Sequence, residues 1–161
     1  MTPITDISVV VPVKNESGNI TVLIQEIDKA LKKLNYEIIY VNDGSNDNTQ
    51  NDLINILKIN KRLRVINHKT SQGQSAALRS GIYASRSILI ATLDGDGQND
   101  PSDLPGMISL IRNQKNPLVL IGGVRVNRQD SKSRLWASSF AKFCRSKLLK
   151  DIHSDSGCGI K

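Results

Sequence analysis

The chain has 161 residues, 39% hydrophobic and 23% charged, and a formal net charge of +7. That is enough for one domain with a real core, and the balance excludes a disordered chain. No apolar run nears the roughly 20 residues of a membrane-crossing helix, and no signal-peptide pattern opens the sequence, so a cytosolic location is expected.

In chain order, Ile7 to Val13 is a nearly continuous β-branched apolar run, which predicts a strand buried on both faces and hence a parallel sheet. Ile20, Leu23, Ile24, Ile27, Leu31 and Leu34 repeat at helical spacing with polar residues between them. Ile38 to Val41 reads as a second strand, Leu53, Ile54, Ile56 and Leu57 sit in a second helix, and Leu63 to Ile66 makes a third strand. Gly73 to Ala84 predicts a third helix, Ser87 to Leu93 a fourth strand, Ser102 to Arg112 a fourth helix and Leu118 to Ile121 a fifth strand. Such alternation implies right-handed crossovers and a mostly parallel α/β sheet with helices on both faces.

After Gly123 the pattern changes to a polar, basic loop and then a helix from about Ser133 to Leu149. Between Arg125 and Lys150 lie eight Lys or Arg against one acid, Asp130, while the rest of the chain balances at 14 basic and 14 acidic residues. A basic face placed so locally suits an anionic partner, whereas the plain alternative is a solvated helix surface. Trp136, Phe140 and Phe143 near one side of this helix suit either a lipid interface or packing on the sheet. The sequence stops at Lys161, just after a Gly-rich stretch, with no element to close on, an ending expected of a C-terminally truncated domain. The division expected is a single domain, 1–161, with a ligand-binding α/β part at about 1–124 and an incomplete basic loop and helix at about 125–161.

Ligands of open α/β sheets bind outside the carboxyl ends of the strands. Lys14, Asn15 and Glu16 follow the first strand, Asn42, Asp43, Gly44 and Ser45 the second, and Asp94, Gly95, Asp96, Gly97 and Gln98 the fourth. Carboxylates gathered on one rim repel each other unless a cation joins them. Asp94 and Asp96, two apart across a glycine, can offer oxygens to a hard ion such as Mg²⁺ or Mn²⁺ that also holds phosphate. A lone Asp-x-Asp is a weak signal; after a buried strand, with Asp43 on another strand end, it is stronger. The Gly-Asp-Gly lies after the fourth strand and lacks a third glycine before a helix, so it is no dinucleotide fingerprint, and no Gly-Lys-Ser/Thr phosphate loop exists. His68 and His153 are isolated and read as structural or surface histidines. Cys144 and Cys158 are too few for a disulfide framework and lack zinc spacing. The basic segment is accompanied by no nucleic-acid motif, so no nucleic-acid partner is expected.

Four stretches carry a resemblance: Ser8 to Ile20, Tyr40 to Thr49, Leu93 to Pro101 and Asp155 to Lys161. Together they resemble the family 2 glycosyltransferases, and most closely the polyprenyl-phosphate, dolichol-phosphate mannose synthase-like branch. The resemblance implies a GT-A fold and inverting, metal-dependent transfer from a UDP- or GDP-linked sugar to a polyprenyl phosphate, undecaprenyl or dolichyl. It implies that Pro12, Val13, Glu16, Val41, Asp43, Asp94 and Gly95 line the nucleotide-sugar pocket, with Asp43 facing the base. Asp96 and Asp94, helped by Gln98, would hold Mg²⁺ or Mn²⁺. Asp155, Asp94 and Arg125 are the implied catalytic residues, and Arg125, Arg128 and Lys161 would receive the acceptor phosphate. At position 161 relatives commonly carry Arg, and Lys lacks its bidentate fork. The implied site of action is the cytosolic membrane face, with anchoring if the protein continues into membrane helices; self-association stays open. Two alternatives are transfer to a saccharide or protein hydroxyl, and a nucleotide-sugar-binding module without turnover.

Overall fold

The computed structural model describes residues 5–116, 118–123 and 159–161. Among these residues nine elements run in the order β1 (Ile7–Val13), α1 (Ile20–Ala30), β2 (Tyr36–Asp43), α2 (Thr49–Leu57), β3 (Leu63–His68), α3 (Gln74–Ala84), β4 (Ile90–Thr92), a 3₁₀ turn at Pro101–Asp103 and α4 (Leu104–Arg112). The four strands form one parallel sheet in the order β3-β2-β1-β4. The chain divides into two units, one comprising Met1–Ile121 with Gly159–Lys161, the other Gly122–Cys158. All but the first two residues of the second unit fall outside the described residues, as does the basic helix expected from Ser133 to Leu149.

Every residue of β1 and β2 is buried, as central parallel strands require. On one face of the sheet, Val10, Ile39, Val41 and Ala77 form a core cluster beneath α3. The alternate residues Tyr36, Ile38, Tyr40 and Asn42 point the other way, and the Tyr36 hydroxyl donates to Asp28 of α1 at 2.6 Å. Ile20, Leu23, Ile24 and Ile27 are the buried stripe of α1, ending before Leu31 and short of the Leu34 that its spacing suggested. At the opposite end from the strand carboxyl ends, Glu37 is buried and takes hydrogen bonds from Ser8 Oγ at 2.6 Å, Arg64 at 2.8 Å and the Arg86 N–H at 2.7 Å. Burial alone would raise its pKa, but these donors outweigh it and hold the carboxyl below its ordinary value.

Pro12 sits inside a central strand, where a missing N–H usually breaks a ladder. Ser8 and Val10 present their backbone groups to the β4 side, accepting or donating to Leu89 and Leu93, so Pro12 faces that side too. The β1–β4 pairing has already ended at Val10 and Thr92. Pro12 therefore forfeits no bond of that ladder, and Gly95 packs against it so closely that a Cβ there would meet Val13 Cγ1 and the Pro12 carbonyl. This is also where the strand order reverses: β1 connects outward to β2, while β3 crosses back to β4.

Two expectations need correction. The fourth strand is only Ile90–Thr92, because Ser87 spends its N–H on Ser8 Oγ instead of a ladder. The fifth strand at Leu118 to Ile121 does not form; Leu118 and Leu120 are exposed. The free edge of β4 is taken by the chain's last residues, Thr92 and Lys161 exchanging both backbone hydrogen bonds at 2.8 and 3.2 Å.

Gly81 lies in the middle of α3, where a Cβ would run into Val10 Cγ1. Glycine costs a helix roughly 0.5–1 kcal/mol relative to alanine, but overpacking a core costs about 1–3 kcal/mol. Gly81→Ala is expected to lower the denaturation midpoint despite its better helix propensity, a balance that urea unfolding measures.

Candidate active site at the sheet's carboxyl edge

A cleft of about 490 Å³ opens at the carboxyl ends of β2, β1 and β4, lined among others by Pro12, Val13, Lys14, Glu16, Asp43, Ser71, Gln74, Asp94, Gly95 and Asp96. Seven of the sequence-predicted pocket and metal residues thus share one hollow at the switch point of the sheet. A larger apolar groove of about 630 Å³ lies elsewhere, between β4 and α4, and none of the clustered carboxylates reaches it.

The wall under β1 is built by a strained turn. Asn15 has φ 58°, the left-handed region that asparagine tolerates better than most residues. Four hydrogen bonds fix it to the loop after β2: Asn15 N–H to Ser45 Oγ, Asn46 N–H to Asn15 Oδ1, Glu16 N–H to Thr49 Oγ1 and Ser17 N–H to Asp47 Oδ2, at 2.9–3.3 Å. The lysine just before this turn is thereby aimed across the cleft, and its Nζ donates to Ser71 Oγ at 3.1 Å.

Asp43 closes β2 and is 4% exposed. Its carboxylate is turned onto its own chain: Oδ1 is 2.7 Å from His68 Nδ1, Oδ2 takes the Ser71 hydroxyl at 2.7 Å and the Gly73 N–H at 2.8 Å, and the Gln72 N–H reaches both oxygens at 2.9 and 3.1 Å. Burial by itself pushes this pKa up, yet the donors from Gln72, His68, Ser71 and Gly73 prevail and hold the carboxyl far below the carboxylate range. Because an ionised carboxylate only accepts, His68 Nδ1 carries the proton toward Asp43, and Nε2 lies 3.0 Å from Ser80 Oγ. Asp43 lines the cleft, and through these bonds it also holds the start of α3 in place.

On the β4 side, Asp94 Oδ1 accepts from Gln74 Nε2 at 2.9 Å, and its N–H donates to Asn99 Oδ1 at 3.0 Å. Gly159 packs so closely that a Cβ there would collide with the Asp94 carboxylate. Exposed Asp96 accepts the Gln98 N–H at 3.0 Å. Among the described residues no three His, Cys, Asp or Glu side chains gather into a ready cage. Asp94 and Asp96 nevertheless fit a hard divalent ion whose remaining ligands come from phosphate and water, since both offer carboxylate oxygens at an open cleft.

Three further predicted residues go elsewhere. Val41 is fully buried in the core under α3, because it lies two residues short of the strand end and packs with Val10, Ile39 and Ala77. Gln98 lines a neighbouring hollow with Glu26 and Lys29, so it supports Asp96 through its backbone. Lys161 lines the groove beside α4 instead of the cleft. Asp155, Arg125 and Arg128 lie outside the described residues. The sequence reading missed Ser71, Gln74 and Gly159; a polar run directly before a helix, followed by glutamine at its first turn, is the signal that could have found the first two.

The sheet order and switch-point cleft define an α/β protein of the GT-A type, and comparison with known proteins agrees. The glycosyl transferase family 2 model matches residues 8–159, and the chain belongs to that family. It is 36% identical over 97% of its length to a dodecaprenyl-phosphate galacturonate synthase of Rhizobium johnstonii, and 32% identical over 99% to an undecaprenyl-phosphate 4-deoxy-4-formamido-L-arabinose transferase of Pseudomonas savastanoi. It spans about half of these relatives, 47% in each case. Among solved structures, UDP-bound glucosyl-3-phosphoglycerate synthase from Mycobacterium tuberculosis superposes with a TM-score of 0.76, covering 97% of this chain and 55% of that one at 20% identity. A mannosyltransferase from Pyrobaculum calidifontis with GDP-Man and Mn2+ gives 0.62, covering 80% and 38% at 19% identity.

Proposed function

We propose that the protein is an inverting, metal-dependent glycosyltransferase that moves a sugar from a nucleoside-diphosphate sugar to a polyprenyl phosphate at the cytosolic membrane face. The observation that carries this reading is the joining of Asp43, Asp94 and Asp96, from two strand ends flanking β1, in one cleft. The two relatives' names support the lipid-phosphate acceptor. Asp94 and Asp96 would hold Mg²⁺ or Mn²⁺ against the diphosphate. Such an ion supplies neutralisation of the charge that develops on the departing nucleoside diphosphate. Within this scheme Gln74 orients Asp94, the Gln98 N–H orients Asp96, and the Asp43 cluster fixes the opposite wall.

In the reaction an acceptor oxygen bonds to the anomeric carbon from the face opposite the diphosphate, whose bond to that carbon breaks in the same displacement. A lipid phosphate is already largely anionic at neutral pH, its second pKa lying at about 6. It therefore needs cationic placement more than a base, a role assigned to Arg125 and Arg128, with Asp155 available where a proton must be removed. The test combines the full chain, Mn²⁺, labelled UDP- and GDP-sugars and vesicles carrying polyprenyl phosphate. Label extracted into organic solvent is expected. Water-soluble labelled product would instead place the acceptor among saccharides, and tight nucleotide binding without transfer would mark a donor-binding module.

A further inference from the structure

Resting on the reading of Asp94 as a metal ligand, we infer that Gly159 is a positioning residue for the transfer: its missing side chain leaves the space in which the Asp94 carboxylate sits, so that the strap Gly159–Lys161 sets the aim of that ligand. The register follows from Thr92 and Lys161, which exchange both backbone hydrogen bonds and so pair antiparallel. Two residues further along each segment, Gly159 stands directly across from Asp94. Side chains paired in this way ordinarily stand side by side, with their Cβ atoms about 5 Å apart. Here the carboxylate leans across instead: a Cβ at position 159 would collide with Asp94 Oδ2 and Cγ and come within 2.6 Å of Asn99 Oδ1.

The backbone accommodates that lean. In a continued ladder the Asp94 N–H would donate to the Gly159 carbonyl. It donates to Asn99 Oδ1 at 3.0 Å instead, and the Gly159 carbonyl accepts from Thr92 Oγ1 at 2.9 Å. The chain thus turns out of the ladder at Asp94 while the strap stays fastened, by the Thr92 hydroxyl, by the two bonds to Lys161 and by the buried side chain of Ile160. From the other direction Gln74 Nε2, on the first turn of α3, donates to Asp94 Oδ1 at 2.9 Å. The carboxylate is therefore held between a side-chain amide and a bare stretch of backbone. Supports of this kind matter to a bound ion, since removing one commonly weakens a metal site about ten- to a hundredfold.

The test is calorimetric titration of UDP and GDP, with Mn²⁺ and with chelator, into the full chain and its variants Gly159→Ala, Thr92→Val and Thr92→Ser. Wild type is expected to gain affinity from Mn²⁺. Gly159→Ala should lose about tenfold or more of that gain with its metal-free affinity intact, because the added methyl meets Asp94 and not the β2 wall. Thr92→Val, which releases the Gly159 carbonyl at a residue that does not line the cleft, should lose part of the gain, and Thr92→Ser should keep it. A metal-free readout runs beside these: the NMR signal of the Gln74 side-chain amide, which reports its bond to Asp94, should shift in Gly159→Ala and stay in place in Thr92→Ser. A full wild-type gain or an unmoved Gln74 signal in Gly159→Ala would overturn the inference, as would equal losses with and without the metal. Should a melting curve show that Gly159→Ala does not fold, the Thr92 pair decides, and equal Mn²⁺ gains for Thr92→Val and Thr92→Ser would overturn it. A wild type that binds nucleotide equally with Mn²⁺ and with chelator would instead overturn the metal reading, and this inference with it.

Discussion

Asp43→Ala is expected to lower stability by about 3 kcal/mol, the scale reached when several buried donors lose one shared charged acceptor. The loss arises because the substitution strands His68, Ser71 and the Gln72 and Gly73 N–H groups together. For a domain of this size that corresponds to a melting temperature lower by about 10 °C. The effect also has a pH signature. The folded carboxyl titrates well below the unfolded value of about 3.9, so its contribution is complete above about pH 5 and disappears as pH falls through the acid range toward the folded pKa. The difference between wild type and Asp43→Asn should therefore narrow below about pH 4. Glu37, whose pKa is also depressed, is present in both proteins and cancels from the comparison. Thermal unfolding from pH 2 to 7 measures it, and a difference that widens in acid would contradict the assigned role.

Asp96→Ala should behave in the opposite way, with stability unchanged and function lost. The residue is exposed and its resolved contact is the Gln98 N–H of its own turn, and surface changes of this kind stay within about 0.5 kcal/mol. Its expected effect is removal of the metal-dependent gain in nucleoside-diphosphate affinity, at least about tenfold or 1.4 kcal/mol. Calorimetry with Mn²⁺ and with chelator decides the matter: the two titrations should coincide in the variant and differ in the wild type. A variant that keeps the wild-type response to Mn²⁺ would remove Asp96 from the metal site.

Much of the architecture was legible because buried parallel strands announce themselves by unbroken apolar runs, and the β1 run matches its strand residue for residue. Leu118 to Ile121 shows where that signal misleads. Four apolar residues satisfy the local pattern, but an edge position depends on which segment reaches it, and residues 159–161 reach the edge of β4 from far along the chain. The site divides in the same manner. The carboxylates could be picked out because they follow strands, whereas the partners of Asp43 come from residues 25 to 30 positions away and Gln74 reaches Asp94 from 20 positions away. That is why the tie from Asp43 to the α3 entrance could not be read from the sequence, and why Val41, next to a strand end, proved to be core.

The order β3-β2-β1-β4 has a kinetic consequence. Among the described residues no strand pairs with a neighbour through a tight hairpin, and β1 must wait for a segment some 80 residues later before its second edge is covered. Assembly is therefore governed by long loop closures, which slow folding. The cleft has walls only after that late docking step, so nucleotide added during refolding should leave the early rate untouched and stabilise the finished sheet alone.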